Sequence, residues 1–143
     1  MEKNILALDL GKGSLGIAIS RSGMFVTPIA NPRFKGGDYE AALSLLKATV
    51  KNETIEHIVI GWPLFPSGDE CEMTPIVRRF IDMLAKEFPD VPITPVDERN
   101  STVEASSLLH ESGKTSKQQK SGIDSAAAAV ILSRYLKSIG QIQ

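Results

Sequence analysis

The sequence predicts an α/β fold in three layers, a five-stranded mixed sheet with helices on both faces. Three observations carry this. Residues 5–29 hold three short apolar runs joined by glycine-containing turns, the pattern of an antiparallel meander. Residues 38–96 then alternate helical and strand patterns twice, which brings two parallel strands into the same sheet. The chain closes on further helical stretches, giving the order β-β-β-α-β-α-β-α-α. At 143 residues it is long enough for one domain with a real core and too short for two full domains, so residues 1–143 are read as a single domain.

The elements follow in order. Ile5 to Leu10 is apolar except for Asp9, as suits a strand covered on both faces. Gly11-Lys12-Gly13 makes a turn, because glycine adopts positive φ without steric cost. Leu15 to Ser20 is the second strand and Met24 to Ile29 the third, with Pro28 and Pro32 marking a sheet edge. Asp38 is an N-cap for a helix reaching about Lys51, whose Ala41, Ala42, Leu45, Leu46 and Thr49 share one side. Ile55 to Ile60 is a strand stopped by Gly61-Trp62-Pro63. Thr74-Pro75 opens the next helix as cap and first residue. Ile93 to Val96 is the fifth strand, with Asp97-Glu98-Arg99 at its exit. Ser101-Thr102-Val103-Glu104 is a capping box that opens a third helix. Gly113 to Gly122 reads as a polar, basic loop, and Asp124 as the start of a last helix running to about Ile139.

The formal charge is −1, so any nucleic-acid contact must come from local basic patches. Cys71 is the only cysteine, which excludes an internal disulfide and suits a reducing compartment. No signal pattern precedes the first strand, and the longest apolar run, Ala126 to Leu132, is far short of the roughly 20 residues that span a bilayer. A cytoplasmic protein is expected.

The acidic residues stand out by position. Asp9 ends the first strand, Asp97 and Glu98 the fifth, and Asp124 precedes the final apolar helix. The ends of neighbouring parallel strands share one rim, where α/β sheets bind ligands. Carboxylates gathered there repel one another unless a cation neutralises them. An oxygen-only donor set without nearby histidine or cysteine selects a hard ion, Mg²⁺ or Mn²⁺. Such ions activate water and stabilise the leaving oxygen in phosphodiester cleavage. Plainer readings exist for three of the acids. Asp124 could simply cap its helix, Glu98 could pair with Arg99, and Asp97 could turn back on its own backbone. Asp9 has no comparable structural use inside an apolar strand. Lys114, Lys117 and Lys120 read either as a solvated loop or as phosphate contacts.

With these residues in view, the sequence resembles the YqgF/RuvX family over nearly its whole length. "LDLGKGSLGIAIS" is similar to the family's first strand, glycine-rich turn and second strand. "IVIGWPL" is similar to its Gly-Leu-Pro strand. "VDERNSTVEA" matches its Asp-Glu-Arg signature, and "IDSAAAAVILSRYL" its final Asp-x-Ala-Ala helix. The resemblance implies a ribonuclease H-like fold and a metal-dependent nuclease that processes the 5′ end of pre-16S rRNA, with the pre-ribosomal small subunit as partner. Some relatives are described as Holliday-junction resolvases. Carried over by position, Asp9, Asp97 and Asp124 would bind the metal, with Glu98 a fourth catalytic acid. Arg99 would orient the acid beside it or hold a phosphate. In a nuclease, Lys12 with Gly11 in the turn, and Lys114, Lys117 and Lys120, would position the substrate backbone. The sequence departs from the family pattern at Lys12-Gly13, at Trp62 and at Gly122.

In the family's strand order, strand four lies between strands one and five. At about 4.8 Å per strand, Asp9 and Asp97 then start roughly 10 Å apart. Consecutive strand residues point to opposite faces, so only one of Asp97 and Glu98 can face Asp9. A monomer would serve a single cut in RNA, and a homodimer would suit branched DNA, where two nicks need two sites. Two other readings use the same residues. "DLGKGS" is similar to a phosphate loop of actin-like and sugar-kinase ATPases, which would make the chain an ATP-binding module. The altered turn residues would also suit a non-catalytic RNA-binding ribosome-assembly factor.

Overall fold

The computed structural model describes residues 4–21, 25–99 and 116–140, with residues 116–126 described by their backbone alone. The strands are β1 (Ile5–Leu10), β2 (Leu15–Ser20), β3 (Thr27–Ala30), β4 (His57–Trp62) and β5 (Ile93–Asp97). The helices are α1 (Tyr39–Thr49), α2 (Met73–Glu87) and α3 (Ser116–Ser138). The strands form one mixed sheet in the order β3-β2-β1-β4-β5. β1–β2 and β2–β3 are antiparallel, and β1–β4 and β4–β5 are parallel.

Alternation along the strands builds two cores. Leu6, Leu8, Leu10, Ile17, Ile58 and Ile60 face α1 and α2, where they meet Ala42, Leu46, Val77, Phe80 and Leu84. Ile5, Ala7, Ala18 and Val59 face the other way, onto Ala128, Ile131, Leu132 and Leu136 of α3. β1 can therefore be apolar at every position but Asp9, because both of its faces are covered. β3 lies at the sheet edge, where the missing N–H of Pro28 is tolerated.

The first helix starts as its sequence dictates. Asp38 accepts a hydrogen bond from the Ala41 N–H at 3.1 Å. Asp38→Ala is expected to cost about 1 kcal/mol of stability, checked by denaturant unfolding.

Several boundaries differ from the sequence expectation. β4 does not stop at Ile60. Gly61 and Trp62 continue it, since β5 offers parallel partners in Val96 and Asp97. α2 begins at Met73, one residue before Thr74, and Glu72 at its N-cap makes no side-chain cap bond. Thr74 is buried instead, donating to the Pro63 carbonyl at 2.6 Å and accepting from the Cys71 N–H at 2.9 Å. Pro75 is tolerated because first-turn N–H groups have no partner within the helix. The third strand begins at Thr27, and α1 ends at Thr49.

The last helix differs most. It starts at Ser116, so Asp124 lies inside it, more than two turns from its start, and is not its cap. Lys117 and Lys120 are therefore helical and not part of a loop. Lysine and glutamine are good helix formers, and they carry the helix past Gly122 at a cost of about 1 kcal/mol. Lys114 and the capping box at Ser101 to Glu104 lie outside the described residues.

Candidate active site: a carboxylate pair across the sheet

β1, β4 and β5 run parallel side by side, so their C-terminal ends share one rim. Asp9 sits near the end of β1. Counting alternately from Ile5 and Ala7, it faces the α3 side of the sheet. Glu98 follows β5 directly, with its N–H on the Trp62 carbonyl at 3.3 Å. It alternates with Val96, which packs on the α3 side. The two carboxyl groups thus rise from strands on either side of β4 and meet over it in a hydrogen bond. Burial, then the nearby Asp9 charge and the hydrogen bond to Asp9, push the Glu98 carboxyl up to about 9. At neutral pH Glu98 therefore keeps its proton and donates it to the Asp9 carboxylate. Cys71 and Asp97 lie near enough to add smaller pushes in the same direction.

Asp97 is held elsewhere. It pairs across the sheet with Trp62, on the face toward α1 and α2. Both of its oxygens accept from the Arg99 side chain, Oδ2 from Nε at 2.8 Å and from Nη2 at 2.7 Å, Oδ1 from Nε at 3.1 Å. Oδ1 also accepts from the Arg99 N–H at 2.9 Å, the local turn that an aspartate commonly makes. The Arg99 guanidinium holds the Asp97 carboxyl below the usual carboxylate range. Arg99 also donates to the Pro66 carbonyl at 3.2 Å, and Arg134 of α3 donates to the Asp97 carbonyl at 2.8 Å.

Of the expected site residues, the structure brings Asp9 and Glu98 together and turns Asp97 away from them. The Asp124 side chain lies outside what the structure describes. Of the substrate candidates, Gly11 and Lys12 follow β1 and Arg99 follows β5 at this rim, while Lys114 and the side chains of Lys117 and Lys120 lie outside what the structure describes. The Gly11 N–H donates to the Ser14 carbonyl at 2.8 Å, closing the turn that presents Lys12. Lys12 Nζ reaches Glu72 Oε1 at 2.7 Å, and both side chains are exposed. Beside them Arg78 lies over the Trp62 ring, 5.3 Å from its centroid, and pairs with Glu70 at 2.7 Å. Sequence reading missed Gly61, taken there for a strand stop, and the nearness of Cys71 to Glu98. A glycine within a strand-like run is the one local signal for Gly61, whereas the nearness of Cys71 depends on which loops and strands meet.

Among the described residues no group of three or more acidic, histidine or cysteine side chains is arranged to hold a metal ion. The pair itself still has the right chemistry for one. Two carboxylates offer hard oxygen donors, and Mg²⁺ is commonly held by one or two protein carboxylates with water completing its shell. A proton shared between two acids also marks a place where positive charge is stabilised.

Comparison with known proteins places the chain in a family. Residues 3–138 match the family model described as "RuvX: Holliday junction resolvase". A protein of Chlorobium phaeobacteroides named "Putative pre-16S rRNA nuclease" is 36% identical over 96% of this chain and 94% of its own length. Proteins of the same name from Chlorobium chlorochromatii and Streptomyces coelicolor are 36% and 39% identical, over 94% and 93% of this chain and 95% and 79% of their own lengths. No helix among the described residues is long and apolar enough to cross a membrane. On a match spanning all the described strands and helices, the chain belongs to the RuvX family.

Proposed function

We propose that the chain is a metal-dependent nuclease with a ribonuclease H-like fold, acting in the cytoplasm on the 5′ end of pre-16S rRNA. The observation that carries this reading is the hydrogen-bonded pair of Asp9 and Glu98 at the shared rim of three parallel strands. The names of the relatives supply the substrate class. Asp9 and Glu98 are the ligands for Mg²⁺ or Mn²⁺, and Asp124, two turns before Ile131 in α3, completes the set. Asp97 stands outside it and aims Arg99. When bound, the ion lowers the pKa of a water molecule and neutralises charge on the phosphate.

The chain's own residues then have defined tasks. Glu98 releases its proton so that both carboxylates face the site as anions. Arg99, Lys12, Lys117 and Lys120 position the phosphate backbone. The ion pairs of Arg99 and Lys12 are with exposed acids, Asp97 and Glu72, which a phosphate can displace, and Arg99 is further held by the Pro66 carbonyl. Arg99→Ala is expected to raise KM by about tenfold with kcat nearly kept, because a positioning contact acts on ground and transition states alike. Steady-state cleavage kinetics check this.

The decisive experiment incubates the protein with a pre-16S 5′ leader and, in parallel, a four-way DNA junction, each with Mg²⁺ or Mn²⁺. Wild type is compared with Asp9→Asn and Asp124→Asn. Cleavage of the leader that either substitution abolishes supports the reading, and equal cleavage by all three proteins overturns it. The family's description as a Holliday junction resolvase favours a second reading, cleavage of branched DNA. Paired nicks in the four-way junction with the RNA left intact would select it.

A further inference from the structure

We propose that Gly61 is a positioning residue, whose missing side chain is what lets the Glu98 carboxyl cross β4 and meet Asp9. The inference rests on the site reading above and adds a residue to it.

Strands lie about 4.8 Å apart, so Asp9 and Glu98 originate roughly 10 Å apart with β4 between them. The Leu8–Ile60 and Gly61–Val96 pairings place Gly61 beside Asp9 on one side and just before Glu98 on the other. Gly61 shares its face with Val59, which packs toward α3. Any side chain there would stand in the gap that the two carboxyl groups close. A Cβ added at Gly61 would come within 3.0 Å of Glu98 Cδ and closer still to Glu98 Oε2, and within 2.7 Å of Ile131 Cδ1. Contacts that short do not occur, so Glu98 or Ile131 would have to move.

The backbone gives no other reason for glycine here. The described glycines with positive φ are Gly37, Gly68 and Gly140, and Gly61 is an ordinary strand residue. Glycine inside a strand weakens it and commonly marks the close approach of another group. At Gly61 that group is Glu98.

The test is a double-mutant cycle with two readouts. Gly61→Ala, Glu98→Ala and the double variant are each made with Ile131→Val, which trims the second contact. Thermal unfolding is followed in EDTA, and Mn²⁺ affinity by calorimetry. Gly61→Ala is expected to lower the melting temperature when Glu98 is present and much less when Glu98→Ala has removed it, because the two changes share one contact. It is also expected to weaken Mn²⁺ binding by at least about tenfold, the scale of a misplaced ligand. It should weaken binding no further in the Glu98→Ala background. Equal loss of melting temperature in both backgrounds, including failure to fold in both, would overturn the proposal. So would wild-type Mn²⁺ affinity in Gly61→Ala/Ile131→Val. If the wild-type protein binds no Mn²⁺, the metal site fails, while unfolding in EDTA still decides the role of Gly61.

Discussion

Asp9→Asn and Glu98→Gln are each expected to lower kcat by about a thousandfold, roughly 4 kcal/mol of transition-state stabilisation. Each keeps the shape of the side chain and removes the charge that would hold a cation. Asp97→Asn is expected to cost far less, because its carboxylate faces the other side of the sheet and is engaged by Arg99. The contrast between two adjacent acids is the informative part. Removing a charge near the rim affects both variants, whereas removing a metal ligand affects only Glu98→Gln. Single-turnover cleavage at saturating Mn²⁺ measures it. Loss of activity in Asp97→Asn with retention in Glu98→Gln would reverse the assignment of the two residues.

Raising the pH is expected to destabilise the metal-free protein. In the unfolded chain Glu98 ionises near its ordinary value of 4.5, while in the folded chain its carboxyl holds the proton up to about 9. Below pH 4.5 both states are protonated and Glu98 adds no pH dependence. Between pH 4.5 and 9 the unfolded state releases a proton that the native state keeps, so the balance shifts toward unfolding at up to about 1.4 kcal/mol per pH unit. Above 9 both states are ionised and this contribution levels off. The full loss across the window is on the order of a few kcal/mol, since Asp9 and Glu98 share the proton and the pair can relax apart. Glu98→Gln should flatten the curve, and an unchanged slope in that variant would refute the assignment. Melting temperatures in EDTA from pH 5 to 9 provide the readout. Added Mn²⁺ should stabilise more strongly as pH rises, because binding must displace the same proton.

Burial governs both expectations. An isolated carboxylate tucked between β5 and α3 is costly, and the protein lowers that cost by sharing a proton between two acids. A divalent ion would lower it further.

Much of this was readable along the chain. The meander, the two αβ units and the Asp38 cap follow from turn residues and apolar spacing, which act over a few residues. Asp9 was conspicuous because a charge in an apolar strand has few structural uses. The start of α3 was misplaced because Asp124 resembles a cap and Gly122 a break, whereas helix-forming residues on either side of Gly122 continue the helix.

Local patterning thus determined the described elements, their order and the suspicion attached to Asp9. Tertiary structure decided which acid joins it. Whether Asp97 or Glu98 faces Asp9 depends on the β4–β5 register and on β4 continuing through Gly61 and Trp62. Register is set by pairing between segments more than 30 residues apart, and a shift of one residue would exchange the two faces. No stretch of sequence read by itself contains that information.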